Sequence, residues 1–230
     1  MDLFTKILLA IIGTGFLGNL LLYRFKRRDS INDHDKELLN PIIDEVCKVC
    51  YSTDTFIHKS NRVSKKLDEL YKKQLNLFKD ADNELHQYNM LQDELMSIYS
   101  KEDIKASDKI NIQIIRDQQD IYFRKRSTII DEALSIPTMK LKIITDFNTE
   151  IQEEISRYNG LTHRLTNTYK FSNKKTSKIV CQQLTKIDNA FKKIINSCEN
   201  YPTMKLSSSL LFYLFKAATD CRLKLTQLNG

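Results

Sequence analysis

The sequence predicts an all-α protein, an N-terminal transmembrane helix followed by a cytosolic helical bundle. Three observations carry this. Ile7–Tyr23 is an uncharged run bounded by Lys6 and Arg24, at the short end of what crosses a hydrocarbon core of about 30 Å. Beyond Arg28 apolar residues recur three and four apart over long stretches, the period of amphipathic helices. No strand alternation, glycine-rich phosphate loop, repeat or low-complexity tract occurs. The predicted division is therefore residues 1–28 as anchor and 29–230 as a cytosolic all-α domain.

The flanks of the run set its orientation. Arg24, Lys26, Arg27 and Arg28 follow it, whereas Lys6 and Asp2 cancel on the other side. Positive charge stays cytoplasmic, so the N-terminus is expected outside and the C-terminal body in the cytosol, as a single-pass protein of the plasma membrane. A cleaved signal peptide would carry its charges ahead of the apolar run and a small-residue cleavage site, and neither is present. On a helix Ile11, Gly15, Gly18 and Leu22 share a face, with Thr14 and Asn19 at its margins. Small residues let helices approach closely, and an intramembrane asparagine needs a partner or water. Two readings stay open: a dimerisation face, or a membrane pore lined by Thr14, Gly15, Gly18 and Asn19. A pore would require a cyclic homo-oligomer.

The formal net charge is +7. Arg24, Lys26, Arg27 and Arg28 account for more than half of it, as an orientation signal and a contact for anionic inner-membrane lipid. The remainder gives nucleic-acid binding no special support. Five cysteines are an odd count, expected as reduced, packed thiols in a cytosolic body. Cys47-Lys48-Val49-Cys50 lacks both a second pair at zinc spacing and a βαβ setting. No metal site and no cofactor is expected.

Ser30–Asp35 reads as a polar connector. Asn40-Pro41 reads as a helix start, since asparagine accepts from free amides and proline has no donor to lose there. Ile42, Ile43, Val46, Val49 and Cys50 continue the pattern, and Phe56 and Ile57 resume it. Next comes a heptad-like seam of Leu67, Tyr71, Gln74, Phe78, Ala81, Leu85, Tyr88, Gln92, Leu95 and Tyr99. Its two glutamines fit a long bundle helix better than a tight coiled coil. A loop over residues 100–108 leads to a third helix from about Asp108 to Ser135, ended or kinked by Pro137. A fourth helix carries Leu141, Ile144, Phe147, Ile151, Ile155, Tyr158, Leu161, Leu165 and Tyr169. A fifth, capped by Thr176 or Ser177, carries Ile179 through Ile195 and stops before Pro202. The last begins near Ser207–Ser209, and its apolar run is too short to span a bilayer.

One constellation has chemical content: Arg157, Asn159 and His163, with Gly160 between them. Arginine followed four to six residues later by histidine resembles the signature of HEPN-type all-α ribonucleases. In that chemistry arginine holds the scissile phosphate and histidine exchanges a proton near neutral pH. Both residues fall off the apolar stripe through Ile151, Ile155, Tyr158 and Leu165. On an unbroken helix they stand about 120° apart, unless Gly160 breaks it and Thr162 caps the next piece. Arg28 and His34 share the spacing, so the alternative is a pair of surface residues on a bundle helix.

One membrane helix, an all-α body and this Arg…His motif together resemble the accessory membrane protein of type VI-B CRISPR systems, described as HEPN-like. The resemblance implies a bacterial inner-membrane protein that enhances an RNA-guided, RNA-cleaving effector in antiphage defence, through a homo-oligomeric pore. The implied partners are further copies of itself, inner-membrane lipid, and the CRISPR effector or its RNA products; no small-molecule substrate is evident. Two alternatives stand beside it. One is a membrane-tethered HEPN-type ribonuclease using Arg157 and His163. The other is a non-catalytic interaction protein whose Leu67–Tyr99 helix docks a partner.

Overall fold

In the computed structural model each described element is an α-helix. The structure describes residues 3–229, with side chains from Leu22 onward apart from Phe25 and Arg28–Asn32. Helix α1 spans Leu3–Tyr99, α2 Ala106–Arg157, α3 Leu161–Thr168, α4 Lys174–Asn200 and α5 Ser208–Asn229.

The all-α expectation holds, but the transmembrane helix does not. Among the described residues no helix is long and apolar enough to cross a membrane. That corrects both the predicted anchor and the single-pass inner-membrane placement with the N-terminus outside. Physically, the 17 residues from Ile7 to Tyr23 are the least that a spanning helix can use, and Gly13, Thr14, Gly15, Gly18 and Asn19 dilute the run. The side chains of Thr14, Gly15, Gly18 and Asn19, and that of Arg28, lie outside the described residues. Arg24, Lys26 and Arg27 are exposed.

Neither the connector nor the start at Asn40-Pro41 interrupts α1, and Pro41 is an interior residue. A mid-helix proline loses an amide donor and costs about 3 kcal/mol. Around it Leu39, Ile42, Val46 and Val49 are all buried, each stabilising the fold by about 1.5–3 kcal/mol. Burial wins and the helix continues. Pro137 is likewise interior to α2, which merges the third and fourth expected helices.

Two compact units divide the chain. The first comprises Met1–His58, Glu150–Tyr201 and Leu206–Gly230. Its core includes Ile42, Ile151, Leu184, Phe191, Ile194 and Leu211, all buried. A buried carboxylate, Asp35, accepts from the amides of Ser172 (2.8 Å) and Asn173 (2.9 Å) and so fixes the approach to α4. Asn173 caps α4 by accepting from Lys175 N at 2.9 Å, in place of the expected Thr176 or Ser177.

The second unit, Lys59–Thr149 with Pro202–Lys205, is built on a helical hairpin. Its arms are the distal part of α1 and the proximal part of α2. Asp108 holds the turn between them, accepting from Lys101 Nζ and Lys105 N, both at 2.9 Å. The Lys101 hydrogen bond, then the Lys105 amide, hold its carboxyl below the ordinary range. Asn148 Nδ2 donates to Met204 O at 2.8 Å, and Lys205 donates to Ser64.

Candidate functional site

The Arg157–His163 motif straddles a helix junction. Helix α2 ends at Arg157, and i→i−3 amide bonds from Tyr158 (2.9 Å) and Asn159 (3.2 Å) tighten its last turn. Gly160 then adopts φ 69°, a left-handed conformation in which it serves as N-cap of α3 without a side-chain oxygen to offer. The missing acceptor comes from α4: Asp188 takes the amides of Leu161 at 3.1 Å and Thr162 at 3.0 Å. An anion on the exposed amides of a helix start is well placed. Thr162, expected as the cap, instead has its Oγ1 buried without a partner.

The break at Gly160 does not assemble a nuclease site. Arg157 Nη1 pairs with Glu154 Oε2 at 2.8 Å, with the arginine side chain 72% exposed. The other Glu154 oxygen accepts from Ser52 Oγ at 3.0 Å and lies 3.4 Å from the Tyr158 hydroxyl. Tyr158 stacks on Phe191 at 6.1 Å. Ser52, Thr53, Phe56, Glu154, Tyr158 and Phe191 line a cavity of about 10 Å³, barely the space of one water. His163 is exposed, and its Nε2 lies 3.0 Å from Asn167 Nδ2. Asn159 is exposed as well. No hydrogen bond joins Arg157, Asn159 and His163 among the described residues. Acid–base work on a phosphate needs both groups within reach of one substrate, whereas here the guanidinium is neutralised by its own helix.

The thiols are free. Cys50 is buried and pushed up by desolvation, and the same cause takes Cys198 to about 11 and Cys221 to about 12. Among the described residues no group of three or more His, Cys, Asp or Glu side chains is arranged to hold a metal ion.

The hairpin carries the feature that sequence reading only half resolved. The α1 seam facing α2 is Leu67, Leu70, Gln74, Leu77, Ala81, Glu84, Tyr88, Leu91, Leu95 and Ile98, each buried or half-buried. Its partner on α2 is Ile112, Ile115, Gln119, Tyr122, Arg126, Ile129, Ala133 and Ile136, in the same four–three rhythm. Gln74 Nε2 donating to Ala133 O at 3.3 Å ties the two, as does the cluster of Leu95, Ile98 and Ile115. With the shared residues Leu67, Gln74, Ala81, Tyr88 and Leu95 as heptad position a, the used seam is a/d. The remaining expected residues, Tyr71, Phe78, Leu85, Gln92 and Tyr99, fall at position e, one residue off. The clue was present: Leu70, Leu77, Leu91 and Ile98 offer a second set at the same spacing, aliphatic but for Glu84.

Position e therefore faces largely outward, with Leu85 half-buried and Gln92 turned to α2, where it accepts from Gln119 Nε2 at 2.9 Å. Tyr71 is 61% exposed, and Phe78 and Tyr99 are also exposed. On α2 the equivalent positions hold Arg116, Phe123, Ile130, Pro137 and Ile144, with Phe123 60% exposed. Arg116 Nη2 donates to the Tyr99 hydroxyl at 2.9 Å and Lys140 Nζ lies 5.1 Å from the Tyr71 ring centre, so the two rows flank the same side of the hairpin. The neighbouring b positions widen it with Leu75, Met96, Leu134 and Leu141, and the same rows also hold the polar Asp82, Asn89, Asp120 and Ser127. The opposite side is crossed by the Lys73–Glu132 ion pair at 2.7 Å and exposes fewer large apolar side chains.

Charge is also segregated. From Leu161 to the C-terminus twelve lysines and arginines stand against Asp188, Glu199 and Asp220, whereas Lys59–Thr149 holds sixteen basic and fifteen acidic side chains. Comparison with family models, with curated proteins and with solved structures finds no match to this chain.

Proposed function

We propose that this chain is a non-catalytic helical interaction protein whose hairpin docks a helical partner. The single observation behind the reading is the apolar e/b face, on which Tyr71, Phe78, Tyr99 and Phe123 stand exposed in heptad register. Isolated surface apolar residues are ordinary, but a row of them at one helical period fits another helix. The membrane-pore reading loses its support with the anchor. The defence role rests on the resemblance alone, and Arg157, engaged by Glu154, lends little to the ribonuclease reading. This reading expects mixed RNA to survive incubation with the purified chain.

Hydroxyl-radical footprinting of the full chain, in the cells that make it and after purification, tests the docking face. Tyr51, 76% exposed in the other unit, serves as reference. Tyr71, Phe78, Tyr99 and Phe123 are 41–61% exposed against 76% for Tyr51, so labelling in cells well below that proportion of the Tyr51 rate is the expected result. Labelling of all four in cells in proportion to those exposures would remove the proposal.

A further inference from the structure

We infer that the occupant of this face is a second copy of the chain, two hairpins meeting across a two-fold axis as a four-helix bundle. The inference rests on the docking reading above and names its partner.

Period argues first. Both arms present the face at a seven-residue repeat, so what covers it along its length is a helical surface of the same repeat. The same face on another copy has that repeat on both arms, and a two-fold axis pairs one patch with its own copy.

Burial argues second. Of the largest side chains buried below 2% exposure, Ile136 is the one that belongs to the hairpin unit; the others lie in the first unit. Its a/d seam is interrupted by Gln74, Glu84, Gln119 and Arg126, and Glu84 Oε2 and Arg126 Nε are buried without partners. A two-helix arrangement this polar gains a core only from further helices packed on its apolar side.

Area and charge argue third. Aromatic side chains carry about 150–250 Å² each. With Tyr71, Phe78, Tyr99, Phe123, Leu134 and Leu141 about half exposed, the face amounts to several hundred Å² per copy, approaching the ~800 Å² that each partner contributes to a stable interface. The near balance of charge over Lys59–Thr149 lets two copies approach without net repulsion, unlike the basic C-terminal third.

Sedimentation equilibrium of the full chain over a range of concentrations tests this, with three variants. Phe78→Glu combined with Phe123→Glu puts charge on the face. Leu134→Lys does so singly at an exposed position, and Met90→Glu with Ile121→Glu marks the opposite side. The expected result is a wild-type dimer, retained in the opposite-side variant. Both face variants are expected to weaken it on the order of a hundredfold, about 2.7 kcal/mol by the usual conversion, with helical circular dichroism unchanged. A dimer that survives both face variants, or one lost equally in the opposite-side variant, would overturn the inference. A wild-type monomer throughout would also overturn it. If the four aromatics are nevertheless shielded in cells, docking stands with a different helical partner; if they are labelled there, docking fails as well.

Discussion

At residue scale Gly160 breaks the helix between Arg157 and His163, and Asp188 supplies the cap that Thr162 was expected to give. A Cβ at Gly160 would meet nothing within 4 Å, so Gly160→Ala costs only the left-handed backbone, about 1–2 kcal/mol. Asp188→Ala strips two amides of their acceptor and is expected to cost about 1–2 kcal/mol. Asp188→Asn, with one acceptor oxygen left, falls between. Urea denaturation of the three variants checks the order. Arg157→Ala, on a solvated ion pair, is expected to stay within about 0.5 kcal/mol of wild type. The spacing of Arg157 and His163 was legible; their separate engagement with Glu154 and Asn167 was not, because it depends on where the helix breaks.

At the scale of elements the hairpin shows why a sequence pattern can be right in kind and one residue off in detail. Rows a, d and e are all largely apolar on α1, so two seams overlap and share row a. Choosing between them needs the partner helix, and α2 lies against d. The used seam then carries Glu84 and Arg126, each with a buried atom unpaired. Replacing unsatisfied buried polar groups with apolar ones of similar size is often stabilising. Glu84→Leu with Arg126→Leu is therefore expected to raise the melting temperature of the hairpin, by about 4 °C or more for a gain of about 1 kcal/mol. A fall would mean that these side chains find partners in the assembled protein. Pro41 and Pro137 make the same point about termination: propensity argued for an end, and in α1 buried neighbours outweighed it.

For the whole molecule, the uneven distribution of core has a pH consequence. All five cysteines belong to the first unit, where burial raises Cys198 to about 11 and Cys221 to about 12. An unfolded thiol ionises near pH 8.5, so between there and about pH 11 the folded state holds protons that the unfolded state has lost. Stability from these thiols is complete below that window and falls as pH rises through it. Thermal melts from pH 8 to 11 should show the first unit losing stability, and less so in Cys198→Ala. Native-state maleimide labelling should reach exposed Cys181 and spare Cys198 and Cys221.

From the sequence alone follow the helical character of the chain, an apolar seam along Leu67–Tyr99, the option of a break at Gly160 and the start of α5 at the Ser207–Ser209 cluster. Those features follow from periodicity and from single residues with narrow backbone preferences, which act locally. Tertiary structure alone decided that Pro41 and Pro137 lie inside helices, that Asp188 and Asp35 serve amides far away in the chain, and which of two overlapping heptad seams is buried. Each depends on a neighbour remote in sequence. It also decided that Tyr71, Phe78 and Tyr99 face outward, because a helix with three apolar rows buries two against one partner and leaves the third exposed.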